Sequence, residues 1–283
     1  MDYNAPRMCL QEPNRRKLAL PIYNHFLLTE AQREPIEVVL VSPRNPLNIG
    51  AAARAMANFG FSHLTVVAPY EEHWREAKSA VGASDLLQNA KRVESLAGAV
   101  ADCTLVVGTG TLQHRRPEQP VIPLPELAPF VGAELDRSGR VALVFGPEKR
   151  GLTREDLARC HVLVEIPTHP RQPSMNLGQA VAVCLYELAA QRIPPQRPAQ
   201  ETRMEPQPSN SDTDDAAPAS MRDLELLARV VAETMQAANY SPAAMQKANR
   251  HDLDLLLRRL KLERRDARRI LGLFRRILWR LKH

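Results

Sequence analysis

From residue 36 to residue 191, short runs of consecutive apolar residues alternate with longer stretches of helical spacing. The runs are IEVVLV at 36–41, HLTVVA at 63–68, CTLVVG at 103–108, RVALVFG at 140–146 and HVLVEIP at 161–167. Each is brief, rich in valine and continuous rather than alternating, as parallel strands covered on both faces should be. The segments between them predict helices at 48–59, 71–80, 94–101, 124–131 and 153–159, and a longer one at 175–191. Strand and helix taking turns in this way predicts an α/β fold with a mostly parallel sheet.

The pattern then breaks. Residues 192–220 contain six prolines and little to bury, and read as a linker. After it, MRDLELLARVVAETMQAANY and LDLLLRRLKLERRDARRILGLFRRILWRL return to helical spacing. The chain therefore divides into an N-terminal extension at 1–35, an α/β domain at 36–191, a linker at 192–220 and a small all-α domain at 221–283. A helical unit of about 60 residues is marginal alone, so it needs to pack on the first domain or on a partner.

Charge sharpens that division. The 283 residues carry a net charge of +6, yet residues 221–283 hold 15 Lys/Arg against 7 Asp/Glu, which leaves 23 basic and 25 acidic groups in the remainder. All the surplus positive charge lies in the last fifth of the chain. This is the footprint of a polyanion-binding module, the plainer alternative being a solvated arginine-rich helix face. No run approaches the roughly 18 to 20 apolar residues of a membrane span, so no membrane partner is expected. The stretch NRRKLALPIYNHFLL is basic and then apolar, like a signal peptide, but Pro21, Asn24 and His25 interrupt it and no small-residue cleavage site comes after it. A cytoplasmic location is the expectation.

Four cysteines, Cys9, Cys103, Cys160 and Cys184, lie far apart with neither metal nor disulfide spacing, and read as buried free thiols. The eight histidines form no paired-ligand pattern, so no metal is expected.

Ligands of open parallel sheets bind at the C-terminal ends of the strands. The segments directly after the apolar runs are SPRNPLNIG, TGTLQHRR, GPEKRGL and PTHPRQPSMNLG, all rich in Gly, Pro, Asn, Ser or Thr. The run VGTGT falls short of a dinucleotide fingerprint, because Gln113 stands where the third glycine belongs, and this argues against a nicotinamide enzyme. GPEKRG lacks the spacing and ending of a phosphate loop, and its glycines could mark only a turn. Arg54 sits in NPLNIGAAARAMANFG. With a helix starting near Ile49 and capped by Asn48, its neighbours three and four residues away are Gly50, Ala51, Ala57 and Asn58. Such small residues let another backbone, a ligand or a second subunit come close, and the guanidinium fork suits phosphate. An ordinary surface arginine is the alternative.

Together, NPLNIGAAARAMANFG, LVFGPEKRGL and IPTHPRQPSMNLGQAVAVCLYE resemble the three signature motifs of the SPOUT class of RNA methyltransferases, and within it the TrmH-like ribose 2′-O-methyltransferases. The likeness runs from Glu37 to about Gln191. VGASDLLQNA and the last 45 residues resemble more loosely the members that act on tRNA at nucleotide 32 of the anticodon loop. The resemblance implies a SPOUT fold with a C-terminal trefoil knot, a homodimer, S-adenosylmethionine as cofactor and tRNA as substrate. It implies cofactor contacts from Thr109, Gly110, Thr111, Phe145, Gly146, Gly151, Ile166, Pro167, Pro173, Ser174 and Met175. It also implies Arg54 as the catalytic residue, reaching the other subunit's cofactor pocket, with Asn48, Glu148, Ser174 and Asn176 around it. Arginine stays protonated in proteins, so Arg54 is expected to clamp the target phosphate and stabilise the forming alkoxide while a neighbour or water takes the proton. Ribosomal RNA as substrate, or a non-catalytic RNA-binding protein on the same fold, are the alternative readings.

Overall fold

The computed structural model describes residues 28–110, 117–190, 217–240 and 242–283. Seven strands form one sheet: β1 (Ile36–Val41), β2 (His63–Val67), β3 (Lys91–Val93), β4 (Leu105–Thr109), β5 (Val121–Pro123), β6 (Val141–Phe145) and β7 (Val162–Glu165). Their order is β3-β2-β1-β6-β4-β7-β5, and every neighbouring pair is parallel. Among the described residues the α-helices are α1 (Glu30–Arg33), α2 (Pro46–Phe59), α3 (Ser84–Asn89), α4 (Leu96–Ala99), α5 (Leu127–Leu135), α6 (Arg154–Leu157), α7 (Leu177–Ala190), α8 (Met221–Ala237), α9 (Gln246–Arg259) and α10 (Arg264–Lys282).

The five apolar runs are the five inner strands. The two strands without such a run, β3 and β5, are the sheet edges, three residues long and mostly exposed. Side chains of the inner strands alternate between two cores. Ile36, Val38, Leu40, Leu143 and Phe145 face one, with α2, α5 and α7; Val39, Val41, Ala142 and Val144 face the other. Continuous apolar runs are what a strand needs when both of its faces are covered.

Two predicted helices differ. Only a single 3₁₀ turn, Trp74–Glu76, forms within 71–80, because the two buried residues there, Trp74 and Ala80, are six apart and would not share one face of a helix. Helix α2 is capped by Asn45, not Asn48: the Asn45 side chain accepts from the Leu47 amide at 3.0 Å, and Pro46 comes next as a first helical residue with no amide to satisfy. That frees the Asn48 side chain for another partner.

The small residues of α2 also have a use inside the molecule. A Cβ placed on Gly178 of α7 would lie 2.6 Å from the Ala51 Cβ, and one on Gly50 would lie 2.3 Å from the Ser79 hydroxyl oxygen. Helix α7 and the 77–80 loop therefore sit directly on α2, at a distance no larger side chain permits. The opposite stripe of α2 remains outward, with Leu47, Arg54, Ala57 and Asn58 exposed.

The C-terminal helices pack on the second face of the sheet. Ala219, Met221, Leu224 and Ala267 belong to the same core as Val39, Val106 and Val144. The Met221 amide donates to the Cys103 carbonyl at 2.8 Å, and Ser220 and Asp223 form a capping box that starts α8. Behind them Leu227, Ala228, Val231 and Leu257 make a smaller core with Ile270, Leu271 and Phe274. Residues 217–220, at the end of the expected linker, are already structured: Pro218 pairs with Glu263, and the Ala219 amide donates to the Leu262 carbonyl at 2.9 Å. Most of that linker and residues 1–27 of the extension lie outside the described residues. No helix among the described residues is long and apolar enough to cross a membrane.

Candidate active site

Strand order reverses around β1 and β6, since β2 and β3 extend one way while β4, β7 and β5 extend the other. The crevice at such a reversal, beyond the C-terminal ends of the strands, is where open parallel sheets hold ligands. A cleft of about 220 Å³ opens there. Thr109 and Gly110 from the end of β4, residues 145–151 after β6, and Ile166, Thr168 and residues 173–175 after β7 line it, with Leu177 and Ala180 of α7.

The loop after β6 is folded tightly on itself. The Gly151 amide donates to the Pro147 carbonyl at 2.8 Å, and Gly151 adopts φ +62°. A Cβ on Gly146 would lie 2.3 Å from the Leu152 nitrogen and 2.4 Å from the Gly151 carbonyl carbon. These are backbone atoms that cannot swing aside, so only glycine lets this turn close. The Thr109 hydroxyl donates to the Val144 carbonyl at 3.0 Å and ties the end of β4 to β6.

Three polar residues far apart in the chain form a hydrogen-bonded row at the cleft's rim. The Asn48 side-chain amide donates to Glu148 Oε1 at 2.8 Å, and Asn48 Oδ1 accepts from the Asn176 amide at 2.8 Å. Asn176 Oδ1 in turn accepts from the Gly178 and Gln179 amides at 2.9 and 3.4 Å, satisfying the open N-terminus of α7. Glu148 also accepts from the Arg44 and Asn45 backbone amides at 3.2 and 3.3 Å. Partial burial pushes its pKa up, but the hydrogen bonds from Asn48 and the backbone outweigh this and hold the carboxyl below its ordinary value. At neutral pH the rim therefore carries a fixed negative charge.

Of the residues expected to hold a cofactor, Thr109, Gly110, Phe145, Gly146, Gly151, Ile166, Pro173, Ser174 and Met175 line the cleft. Pro167 lines a neighbouring groove with Val121, Pro123 and Glu165 instead, and Thr111 lies outside the described residues. Glu148 and Ser174 stand at the cleft, and Asn48 and Asn176 join it through the polar row. Arg54 does not line it. Six residues beyond Asn48 on one helix, it points about 120° away around the axis at about 100° per residue, onto the exposed stripe.

Lys149, Arg150 and Thr168 line the cleft as well and were not singled out in the sequence; their place in the loops after β6 and β7 was the available signal. Arg44 was also missed. Besides its amide bond to Glu148, its guanidinium lies 5.5 Å from the ring centre of Tyr70, which is 72% exposed. Cys103, Cys160 and Cys184 are buried, and burial pushes each thiol up to about 12, so none is a nucleophile.

The model of the SpoU rRNA methylase family matches residues 35–186. The tRNA (cytidine/uridine/adenosine-2′-O-)-methyltransferase TrmJ of Pseudomonas aeruginosa strain UCBPP-PA14 is 44% identical over 165 residues, 56% of this chain and 64% of that protein. The tRNA (cytidine-2′-O-)-methyltransferase TrmJ of Methanocaldococcus jannaschii is 37% identical over 161 residues, 56% of this chain and 69% of that protein. The chain thus spans a little under two thirds of the length of the first of these curated relatives. The crystal structure of TrmJ from Z. mobilis ZM4 superposes with a TM-score of 0.70 at 28% identity, covering 85% of this chain and 98% of that one.

Proposed function

This chain belongs to the SpoU rRNA methylase family, and from that premise we propose that it transfers a methyl group from S-adenosylmethionine to the ribose 2′-hydroxyl of a tRNA nucleotide, at position 32 of the anticodon loop. The observation that carries the reading is the row Glu148–Asn48–Asn176, assembled from three distant segments at the rim of a glycine-lined cleft.

The cleft's chemistry fits the cofactor. Phe145, Ile166, Met175 and Leu177 offer apolar walls, Gly110, Gly146 and Gly151 leave backbone bare for close approach, and the Glu148 carboxylate favours a cationic sulfonium nearby. When bound, S-adenosylmethionine supplies an already activated methyl group. What remains for the protein is to hold the hydroxyl in line and to manage one proton. Glu148, with its pKa held low, is a weak base, so its part is to fix Asn48 and keep the rim negative. Arg54 clamps the phosphate beside the target ribose and stabilises the forming alkoxide, and a neighbouring group or water accepts the proton.

Arg54 serves the cleft of a second protomer in this reading. Its exposed stripe on α2 also carries Leu47, 53% exposed, and the adjoining face of α7 carries Tyr186, 57% exposed, with the Phe59 ring edge-on to Tyr186 at 6.0 Å between centres. An apolar face around an arginine is suited to a homodimer in which two sites form together. The trefoil knot belongs to the same proposal, with the cleft loops after β6 and β7 among its knotted segments, as does a cytoplasmic location alongside the tRNA.

Transfer RNA is favoured over ribosomal RNA by what lies outside the family model. The likeness to TrmJ from Z. mobilis ZM4 extends over 85% of the chain and so takes in C-terminal helices beyond residue 186. Helix α10 exposes Arg275, Arg276, Arg280 and Lys282, a basic surface for phosphates.

Mapping 2′-O-methylated ribose in tRNA incubated with the protein and S-adenosylmethionine tests the proposal. A methyl group should appear in the anticodon loop and should be lost with Arg54→Ala. Methylation of ribosomal RNA alone, or of neither RNA, would refute it. Arg54→Lys keeps the charge without the fork, and near-normal turnover there would sink the bidentate clamp.

A further inference from the structure

A second cavity, of about 330 Å³, lies at the N-terminal ends of β4 and β7, between α5 and the turn joining α9 to α10. It shares no lining residue with the cleft at the opposite ends of the strands. Its polar side chains are almost all donors. His161 Nδ1 accepts from the Val106 amide at 3.0 Å, so the other ring nitrogen carries the hydrogen. Burial, with Arg258 and Lys261 nearby, lowers the His161 pKa to about 3 and keeps the ring neutral.

Arg258 is the centre of the site. It is 8% exposed, its Nη1 donates to the Asp254 carbonyl within α9, and its Nε is buried with no hydrogen-bond partner. The Asp254 carboxylate is hydrogen-bonded by Arg250 Nε at 3.2 Å; Asp254 and Glu225 attract the Arg258 charge, but neither forms an ion pair with it among the described residues. A buried guanidinium left this way is costly, and an anion relieves it. Around the mouth stand Arg137, Arg259 and Lys261, against one carboxylate, Glu134, that lies 3.7 Å from Arg137. Four cations against one acid, with Leu105, Leu224 and Leu262 between them and the Phe130 ring under Lys261 at 5.4 Å, describe a receptor for an anion that has an apolar or planar body.

We propose that this cavity binds a small phosphate-bearing ligand of nucleotide size, its phosphate on Arg258 and its planar body against Phe130. The ligand bridges the sheet and the C-terminal helices, so its binding tightens their docking. The site does not depend on the methyl-transfer reading.

The test uses the full chain and calorimetric titration with uridine 5′-monophosphate, uridine and inorganic phosphate. The monophosphate should bind saturably at one site per chain, and uridine at least about tenfold more weakly, since a hydrogen-bonded charge is lost. Arg258→Met keeps the buried stem without the charge and should weaken the monophosphate by about tenfold or more. Lys261→Ala and Arg259→Ala, both exposed and safe for folding, should each weaken it about threefold. Absence of saturable binding at millimolar monophosphate would overturn the proposal, as would equal affinity in all three variants. So would binding of an RNA oligonucleotide through Arg258 without binding of either small phosphate, which would make this a polynucleotide surface.

Discussion

Asn48→Asp is the sharpest probe of the rim. The change is isosteric, and it sets a carboxylate oxygen where the Asn48 amide nitrogen now stands, 2.8 Å from Glu148 Oε1. Removing a donor from a charged acceptor costs about 1.5–3 kcal/mol. Two carboxylates at that separation repel by about 1.5 kcal/mol in bulk water and about 6 at an effective dielectric of 20. The pair is partly exposed, which favours the lower end, so about 2 kcal/mol is the reasonable figure. The sum at pH 8 is a loss of about 3–5 kcal/mol. Its pH dependence has a sign that can be fixed in advance. In the native protein the Glu148 pKa is held below its ordinary 4.5, so the stability it contributes is present above that value and is lost as pH falls through the lowered pKa. In the variant the carboxylate pair shares a proton with a pKa raised above the unfolded value. That contribution is present below the unfolded value and is lost as pH rises through the raised one. The gap between native protein and variant should therefore be widest at pH 8 and narrow towards pH 5. Urea denaturation at the two pH values measures it, with Asn48→Ala as the variant that loses the donor without adding charge. A gap as wide at pH 5 as at pH 8 would refute the rim geometry.

Arg54→Ala and Gly146→Ala proteins, each inactive alone, should regain methyl transfer when their chains are mixed, since about a quarter of the sites in a random population of dimers carry both intact residues; no recovery would place Arg54 outside the partner's cleft. Gly146→Ala by itself should cost about 1–3 kcal/mol, read as a lower Tm, because its Cβ meets backbone at 2.3 Å, and calorimetry should show weakened S-adenosylhomocysteine binding. Reversing Arg275, Arg276 and Arg280 to Glu should weaken tRNA binding and flatten its salt dependence, measured by filter binding, by about 0.9 in log–log slope for each phosphate no longer neutralised. Truncation at Met221 is the poorer experiment, because Met221 and Leu224 are buried against the strands and their removal uncovers the sheet.

The sequence by itself determined the inner five strands, since each must present apolar residues to both faces and so shows as an unbroken valine-rich run. It also determined most of the cleft, because strand ends collect their ligand loops whatever the loops contain. Edge strands β3 and β5 carry no such run, being mostly exposed, and only pairing with their neighbours makes them strands. The partner of Asn48 was decided by the fold as well. Local capping rules suit Asn45 and Asn48 alike, and it is the arrival of Glu148, a hundred residues away, that claims the second. The small residues beside Arg54 admit any close neighbour, and the tertiary structure gives Gly50 to the 77–80 loop and Ala51 to α7, leaving Arg54 outward. The cavity around Arg258 had no sequence signal at all, for its walls come from six separate segments whose meeting is fixed only when the C-terminal helices dock on the sheet. Composition and periodicity report what each segment must bury; which segments bury one another is decided by packing over distances the chain order does not encode.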